Sequence, residues 1–121
     1  MTAPKLVIVE SPYKATHEQG LALNIKYAQL CLLDCLRTGE APYASHLLYT
    51  LEHVLSDAIP EQRLKGIRAG FAWKRVADVT AFYLDLGMSE GMKSARELCE
   101  QLNLPHEFRY LPADLLQKLS L

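Results

Sequence analysis

The chain has 121 residues, of which 50% are hydrophobic and 22% charged, and this composition is typical of one globular domain covering residues 1–121. Its 13 basic and 14 acidic side chains leave a formal net charge of -1, so we expect no nucleic acid as a partner. No apolar run approaches the roughly 20 residues that cross a bilayer, so we also expect no membrane partner. Three cysteines and the lack of a signal-peptide pattern predict a reduced, cytoplasmic location.

Apolar runs and helical periodicities alternate along the chain. A strand is predicted over residues 5–10, because they contain the continuous apolar run 6–9, which is typical of a strand covered on both faces. Residues 78–85 are rich in β-branched and aromatic side chains and give the clearest strand signal. The segment 47–55 fits either a helical turn or an ordered loop. The other predicted elements are helices over 21–37, 61–76 and 90–102, strands over 40–46 and 106–111, and a C-terminal helical turn over 114–119.

This alternation predicts an α/β fold class: a doubly wound, Rossmann-like or flavodoxin-like sheet of about four mainly parallel strands flanked by helices. In such sheets, ligands bind beyond the carboxyl ends of the strands, at the point where the strand order reverses. The segments that follow the first three predicted strands, 10–13, 43–46 and 85–92, are therefore the places to look for a site.

Each of these three strand ends carries polar groups and a turn-forming residue. The first offers a carboxylate, a hydroxyl and an aromatic ring, and the second offers another ring, a hydroxyl and an imidazole. The third has a glycine turn before a helix N-terminus, where backbone N–H groups attract anions. Such a set suits a small polar ligand with a flat part, such as a nucleoside. The candidate residues are Glu10, Ser11, Pro12 and Tyr13, then Tyr43, Ser45 and His46, then Asp85, Gly87, Ser89 and Gly91.

Structural roles compete with these functional ones. Asp85 and Ser89 also suit a turn and a helix N-cap. Tyr13 and Tyr43 also suit positions that cover the edge of the sheet. A lone histidine such as His46 more often forms a structural hydrogen bond than takes part in catalysis.

Other residues are predicted to be structural. The sequence places Trp73 in the core, a solvated basic face over 63–75, and both Cys31 and Cys35 on a buried helix face. The cysteines and histidines lack metal-ligand spacing, so we expect no metal. No phosphate-binding loop and no dinucleotide-binding glycine motif occurs, so we expect no cofactor.

Several of these residues, taken in order, resemble the motifs of nucleoside 2-deoxyribosyltransferase-like proteins. The matching motifs are Ser11-Pro12-Tyr13, Asn24-x-x-x-Ala28, Gly39-x-x-Pro42-Tyr43, Arg63, Ala77-Asp78-Val79 and Ser89-x-Gly91-Met92. The similarity covers residues 5 to 105 and is greatest with small single-domain members found in bacteria and their phages. The resemblance implies a nucleoside- or nucleotide-like ligand, adds Asn24 and Met92 to the ligand-binding candidates, and implies a homo-oligomer.

The residue that performs catalysis in that family is missing from its expected place. The family's transferases use a carboxylate nucleophile on the anomeric carbon of the sugar, which gives a covalent glycosyl intermediate. In the family pattern this Glu lies one helical turn beyond the S-x-G motif, where this chain has Ser94 and Ala95. Glu97 lies two positions further on and points elsewhere around the helix.

Three functions therefore remain open. The first, which we favour, is a domain that binds a nucleoside or nucleotide derivative without catalysis. The second is an enzyme that acts on an N-glycosidic bond, as a deoxyribosyltransferase or a hydrolase, with Glu10 or Asp85 as the nucleophile. The third is a protein-interaction module of phage or bacterial origin that keeps the fold for its surface.

Overall fold

A computed structural model of the chain describes residues 3–119 and contains four strands and five α-helices in that part. In chain order the elements are β1 (Leu6–Glu10), α1 (Glu18–Arg37), β2 (Ala41–Tyr43), α2 (Ser45–Leu48), α3 (Pro60–Lys74), β3 (Val79–Tyr83), α4 (Glu90–Gln101), β4 (His106–Arg109), α5 (Ala113–Leu116) and a final 3-10 turn (Gln117–Leu119).

The four strands form one sheet in the order β2-β1-β3-β4, and every neighbouring pair is parallel. In the centre of the sheet, Val7 of β1 pairs with Pro42 of β2 on one side and with Val79 of β3 on the other. This arrangement confirms the predicted α/β fold class. Because all strands run in the same direction, their carboxyl ends meet along one edge, and the strand order reverses between β1 and β3.

Alternate side chains of the strands pack against helices on opposite faces of the sheet. On one face lies a large cluster built from β1, β3, α1 and the C-terminal turns, and on the other lies a smaller cluster built from β3 and α4. The larger cluster includes Val7, Val9, Tyr27, Cys31, Cys35, Ala81, Tyr83, Leu111 and Leu115, and the smaller one Phe82, Met92 and Cys99. The predicted burial of Cys31 and Cys35 is thus confirmed.

The predicted boundaries differ most from the structure at the start of α1 and the end of β2. Helix α1 begins at Glu18 rather than at residue 21, because Nδ1 of His17 caps it by accepting a hydrogen bond of 2.9 Å from the backbone N–H of Gly20. The strand predicted over 40–46 ends at Tyr43, and the prediction was wrong for its last residues. Ser45 instead starts α2, a single helical turn.

Two predictions for α3 were also wrong. Trp73 is not in the core: it is 48% exposed, and its Nε1 donates a hydrogen bond of 3.1 Å to the hydroxyl of Tyr49. Lys74 is not on a solvated face: it is 7% exposed and forms an ion pair with Glu10 of β1. The two errors have one cause. Consecutive helix residues point about 100° apart, so an inward Lys74 turns Trp73 outward.

Within residues 3–119, none of the helices combines the length and the apolar character that a bilayer crossing requires.

Candidate functional site

A hydrogen-bonded pair of side chains lies at the carboxyl end of the central strand β1. Ser11 follows β1 directly and is 5% exposed, and its Oγ lies 3.0 Å from Nε2 of His46 on α2. Burial lowers the pKa of His46; the Glu10 carboxylate partly opposes this and the Lys74 ammonium reinforces it. His46 is therefore neutral at pH 7, with one ring nitrogen as a donor and the other as an acceptor.

Tyr13 extends this pair towards solvent. Its ring meets that of His46 edge-on, with 5.9 Å between the ring centroids and 79° between the planes. Its backbone carbonyl accepts a hydrogen bond of 3.0 Å from Nδ2 of Asn24 on α1. Asn24 therefore fixes the loop that carries Tyr13, which is a positioning role compatible with the candidate site.

A cleft of about 530 Å³ opens beside Tyr13. Most of its lining comes from the segment between α2 and α3, which the sequence left open between a helical turn and an ordered loop. The lining residues are Tyr13, Thr50, Leu51, Glu52, His53, Val54, Leu55, Ser56, Asp57 and Gln62. The cleft thus lies next to the Ser11–His46 pair, at the carboxyl edge where the fold class predicts a ligand site.

Hydrogen bonds hold the wall of the cleft in place. Thr50 Oγ1 donates to the backbone carbonyl of His46 at 2.5 Å, which fastens the wall to α2. Gln62 Oε1 accepts from the backbone N–H of Ser56 at 2.7 Å, which fastens it to α3. Asp57 also lies 3.5 Å from Nε of Arg63. These contacts connect the segment to both α2 and α3.

The two candidate nucleophiles both have partners inside the protein. Glu10, whose side chain is 15% exposed, pairs with the buried Lys74. Asp85 Oδ2 accepts hydrogen bonds from the Tyr27 hydroxyl at 2.6 Å and from the backbone N–H of Leu111 at 2.9 Å. Asp85 therefore ties the end of β3 to α1 and to the segment after β4. Neither carboxylate is among the residues that line the cleft.

The candidates after β3 shape the start of α4. Ser89 Oγ accepts a hydrogen bond of 3.2 Å from the backbone N–H of Met92, so Ser89 is the N-cap that its sequence position suggested. Met92 is 1% exposed and belongs to the smaller core cluster. Gly87 has a φ of +83°, a conformation that favours glycine. Gly91 lies in the first turn of α4, and none of these four residues lines the cleft.

The candidates around β2 pack against α3, and Pro12 is buried next to Ser11. The Tyr43 ring lies 5.2 Å from that of Trp73, centroid to centroid. Ser45 touches Gly70, where a Cβ atom would lie 2.6 Å from its Oγ. The structure thus places Tyr43 and Ser45 behind the site and brings only Tyr13 of the sequence-predicted residues into the wall of the cleft. Within residues 3–119, no group of three or more His, Cys, Asp or Glu side chains is placed to hold a metal ion.

Fold and site together define an all-parallel α/β domain with a cleft at the carboxyl edge of its sheet. The chain belongs to the family described as a domain of unknown function (DUF7768), whose family model matches residues 5–109 and so includes all four strands. No curated protein and no solved structure matches the chain.

Proposed function

We propose that this protein is a small-ligand-binding domain for a nucleoside or nucleotide derivative and that the ligand occupies the cleft beside Tyr13. The single observation that carries the proposal is the position of this cleft, at the carboxyl ends of β1 and β2 and next to the Ser11–His46 pair. Its volume of about 530 Å³ lies in the range of 300–1,000 Å³ that small-molecule sites occupy.

The lining offers the groups that a nucleoside needs. The Tyr13 ring supplies a flat surface for a base, and aromatic stacking is worth about 1–3 kcal/mol per base. Thr50 and Ser56 supply hydroxyls, and the carboxylates of Glu52 and Asp57 supply acceptors for sugar hydroxyls. The nucleoside class itself rests on the resemblance of the sequence motifs to nucleoside 2-deoxyribosyltransferase-like proteins.

The charges of the lining favour a nucleoside over a nucleotide. Glu52 and Asp57 line the cleft, whereas no Lys or Arg of the described residues does so. A phosphate group would meet these carboxylates without a lysine or arginine in the lining to compensate for its charge, and the nearby Arg63 already pairs with Asp57. We therefore expect the protein to bind a nucleoside more tightly than the corresponding 5′-monophosphate.

The geometry favours binding over glycosidic catalysis. A nucleophile must reach the anomeric carbon of a bound sugar, and Glu10 and Asp85 point instead to partners within the fold. The buried thiols of Cys31, Cys35 and Cys99, each of which is free, support the further proposal of a reduced, cytoplasmic setting.

The test is to equilibrate the protein with the common ribo- and deoxyribonucleosides and their 5′-monophosphates, to ultrafilter it, and to analyse both fractions by mass spectrometry. We expect one unaltered nucleoside to be enriched with the protein. Tyr13→Ala should weaken its binding by about tenfold or more, since the stacking surface is lost. Tyr110→Ala is the matched control, because Tyr110 is 67% exposed and lies outside the cleft.

Three results would contradict the proposal. Enrichment of no nucleoside, or equal binding by wild type and Tyr13→Ala, would exclude the cleft as the site. Free base or an exchanged nucleoside in the filtrate would instead establish an enzyme that cleaves N-glycosidic bonds, and Glu10→Gln and Asp85→Asn would then be assayed for turnover.

A further inference from the structure

The Ser11–His46 pair has the geometry of a nucleophile and its general base. The 3.0 Å between Ser11 Oγ and His46 Nε2 lies within the about 2.6–3.2 Å over which a base takes the proton of a nucleophile. In the tautomer that has its proton on Nδ1, His46 leaves Nε2 free to accept the proton of the hydroxyl. Tyr13, whose ring meets that of His46 edge-on, also lines the cleft, so the cleft reaches the immediate neighbour of the pair.

The charges around His46 suit a general base. Burial lowers the pKa of His46, so the imidazole is neutral at pH 7 and able to accept a proton. The Glu10 carboxylate acts in the opposite direction, because a nearby negative charge favours the imidazolium that forms when the proton is taken up. Lys74 forms an ion pair with Glu10 and so holds this carboxylate in place. A nucleophile, a base and a carboxylate are therefore present together at the end of β1.

The lining of the cleft favours one kind of bond. The carboxylates of Glu52 and Asp57 line it and no Lys or Arg of the described residues does, which disfavours phosphate and sulfate esters. Leu51 and Val54 also line it and are 54% and 52% exposed, so they offer an apolar surface to an uncharged group. An uncharged carboxylic ester fits both features. Because Ser11 is only 5% exposed, the group that reaches its Oγ must be a small acyl group.

We propose that this pair catalyses the hydrolysis of a small carboxylic ester, with Ser11 as the nucleophile and His46 as the general base. Ser11 Oγ attacks the carbonyl carbon while its proton passes to His46 Nε2. The bond from the carbonyl carbon to the alcohol oxygen then breaks, the alcohol takes the proton from Nε2, and the acyl group stays on Ser11. Water attacks this acyl group and gives a proton to Nε2, the carboxylic acid leaves, and the proton returns to Ser11 Oγ.

This activity goes beyond the proposed function and does not depend on which ligand the cleft prefers. Nucleosides contain no ester bond, so a nucleoside that stays unaltered in the binding experiment is compatible with ester hydrolysis. The chemistry also differs from glycosidic cleavage, because Glu10 stabilises a charge here and attacks no carbon atom. Nucleoside binding and ester hydrolysis are measured in separate assays, so the failure of one proposal is distinguishable from the failure of the other.

The first test follows the release of p-nitrophenol from p-nitrophenyl acetate by wild type and by variants whose folding is checked by circular dichroism. We expect Ser11→Ala and His46→Gln each to lower the rate by about 100-fold or more, which is the contribution typical of a general base. Ser94→Ala is the matched control, because Ser94 is exposed on α4 and its loss should leave the rate unchanged. A wild-type rate equal to that of buffer alone, or variants that keep the wild-type rate, would overturn the proposal.

The second test depends neither on turnover nor on the stability of Ser11→Ala. Methanesulfonyl fluoride transfers its sulfonyl group to an activated serine: the serine oxygen attacks the sulfur atom, fluoride leaves, and the base takes the proton. Mass spectrometry of the intact protein and of its peptides should find one sulfonyl group per chain, located on Ser11. An unlabelled protein, or a label on another residue, would refute the role of Ser11 as the nucleophile.

Access to position 11 has a test of its own. In Ser11→Cys, the small reagent methyl methanethiosulfonate should convert the introduced thiol into a mixed disulfide and release methanesulfinate. The native cysteines, which are 0% exposed, provide the background rate. Adding His46→Gln should slow the reaction, because no imidazole then takes up the proton of the thiol. An introduced thiol that reacts no faster than the native ones would show that no substrate reaches this position.

Discussion

Gly70 lies where α3 meets Ser45, the first residue of α2. A Cβ atom added at Gly70 would lie 2.6 Å from Ser45 Oγ and 2.9 Å from Ser45 Cβ. The hydroxyl can rotate away, but the Cβ of Ser45 is fixed by the backbone of α2. Gly70→Ala must therefore push α2 away from α3, and α2 carries His46 of the candidate site.

Gly66, one turn earlier in the same helix, provides the reference for the magnitude. There an added Cβ would meet Leu55 Cδ1 at 3.5 Å, which is an ordinary contact. Gly66→Ala should thus stabilise the protein by about 0.8–1.0 kcal/mol, since alanine is a better helix former than glycine. Gly70→Ala gains the same amount but pays an overpacking cost of about 1–3 kcal/mol. Because the clash includes a fixed atom, we expect the upper half of that range, so the two variants should differ by about 2–3 kcal/mol.

Urea unfolding followed by circular dichroism measures this difference, with an unchanged m value as the check that the denatured state is the same. Replacing Ser45 by Gly in the Gly70→Ala background removes both clashing atoms. The Gly70→Ala change should then stabilise the protein by about 0.8–1.0 kcal/mol, as at Gly66, when it is measured against Ser45→Gly alone. The reasoning would be refuted if Gly70→Ala were as stable as Gly66→Ala, or if Ser45→Gly left the cost of Gly70→Ala unchanged.

Three further predictions concern the polar contacts of the fold. Glu10→Gln should lower the free energy of unfolding by about 3–5 kcal/mol in urea titrations, because it leaves a buried lysine without its counter-ion. Tyr27→Phe should cost about 1–3 kcal/mol in the same assay, because the backbone N–H of Asp85 donates to this hydroxyl at 2.9 Å and would lose its acceptor. Hydrogen bonds from Arg109 hold the pKa of Glu40 in the folded protein below its ordinary value of 4.5. The ionised Glu40 therefore contributes its full stabilisation at pH values above 4.5. This stabilisation is lost as the pH falls through the lower folded-state pKa. Thermal unfolding between pH 6 and pH 3 should therefore show a smaller loss of stability for Glu40→Gln than for wild type.

Each of these has an internal control. Adding Lys74→Met to Glu10→Gln removes the unpaired charge and should recover part of the lost free energy of unfolding. A double variant that is less stable than Glu10→Gln would contradict the ion-pair argument. For the hydroxyl, Tyr110→Phe changes an exposed residue and should be neutral. Equal slopes of stability against pH in wild type and Glu40→Gln would show that the Arg109 contact contributes nothing to acid sensitivity.

Most of the fold could be predicted from the sequence, because its signals are local. The apolar run of β1 and the aromatic, β-branched run of β3 each define a buried strand, and the intervening helices force these strands to be parallel. Lys74 was mispredicted because helical periodicity cannot reveal a buried charge whose partner, Glu10, is 64 positions away in the sequence. Only the packing of α3 beneath β1 decides that this lysine points inward.

The site could be predicted only in part. The tendency of ligands to bind beyond the carboxyl ends of parallel strands directed the search to the edge of the sheet where the cleft lies, and it included Tyr13 because that residue is in the loop after β1. The segment 50–57 was left unassigned, since its conformation depends on single hydrogen bonds to α2 and α3, which sequence spacing does not reveal. For Ser89, by contrast, the neighbouring residues alone were enough to suggest the role of helix N-cap. In that role its hydroxyl accepts a hydrogen bond from the backbone N–H of Met92.

The central place of β1 also sets the order in which the chain can fold during synthesis. Val7 is made 72 residues before its partner Val79, and each strand pairing of the sheet needs a crossover rather than a hairpin. Until residues 79–83 leave the ribosome, β1 can pair with β2 alone, and its other edge stays open. Bringing together strands that lie so far apart in the sequence is slow. While β1 waits for β3, its open edge promotes aggregation. The first strand to emerge is therefore completed late, and the growing chain depends most on protection by chaperones between the synthesis of β2 and that of β3.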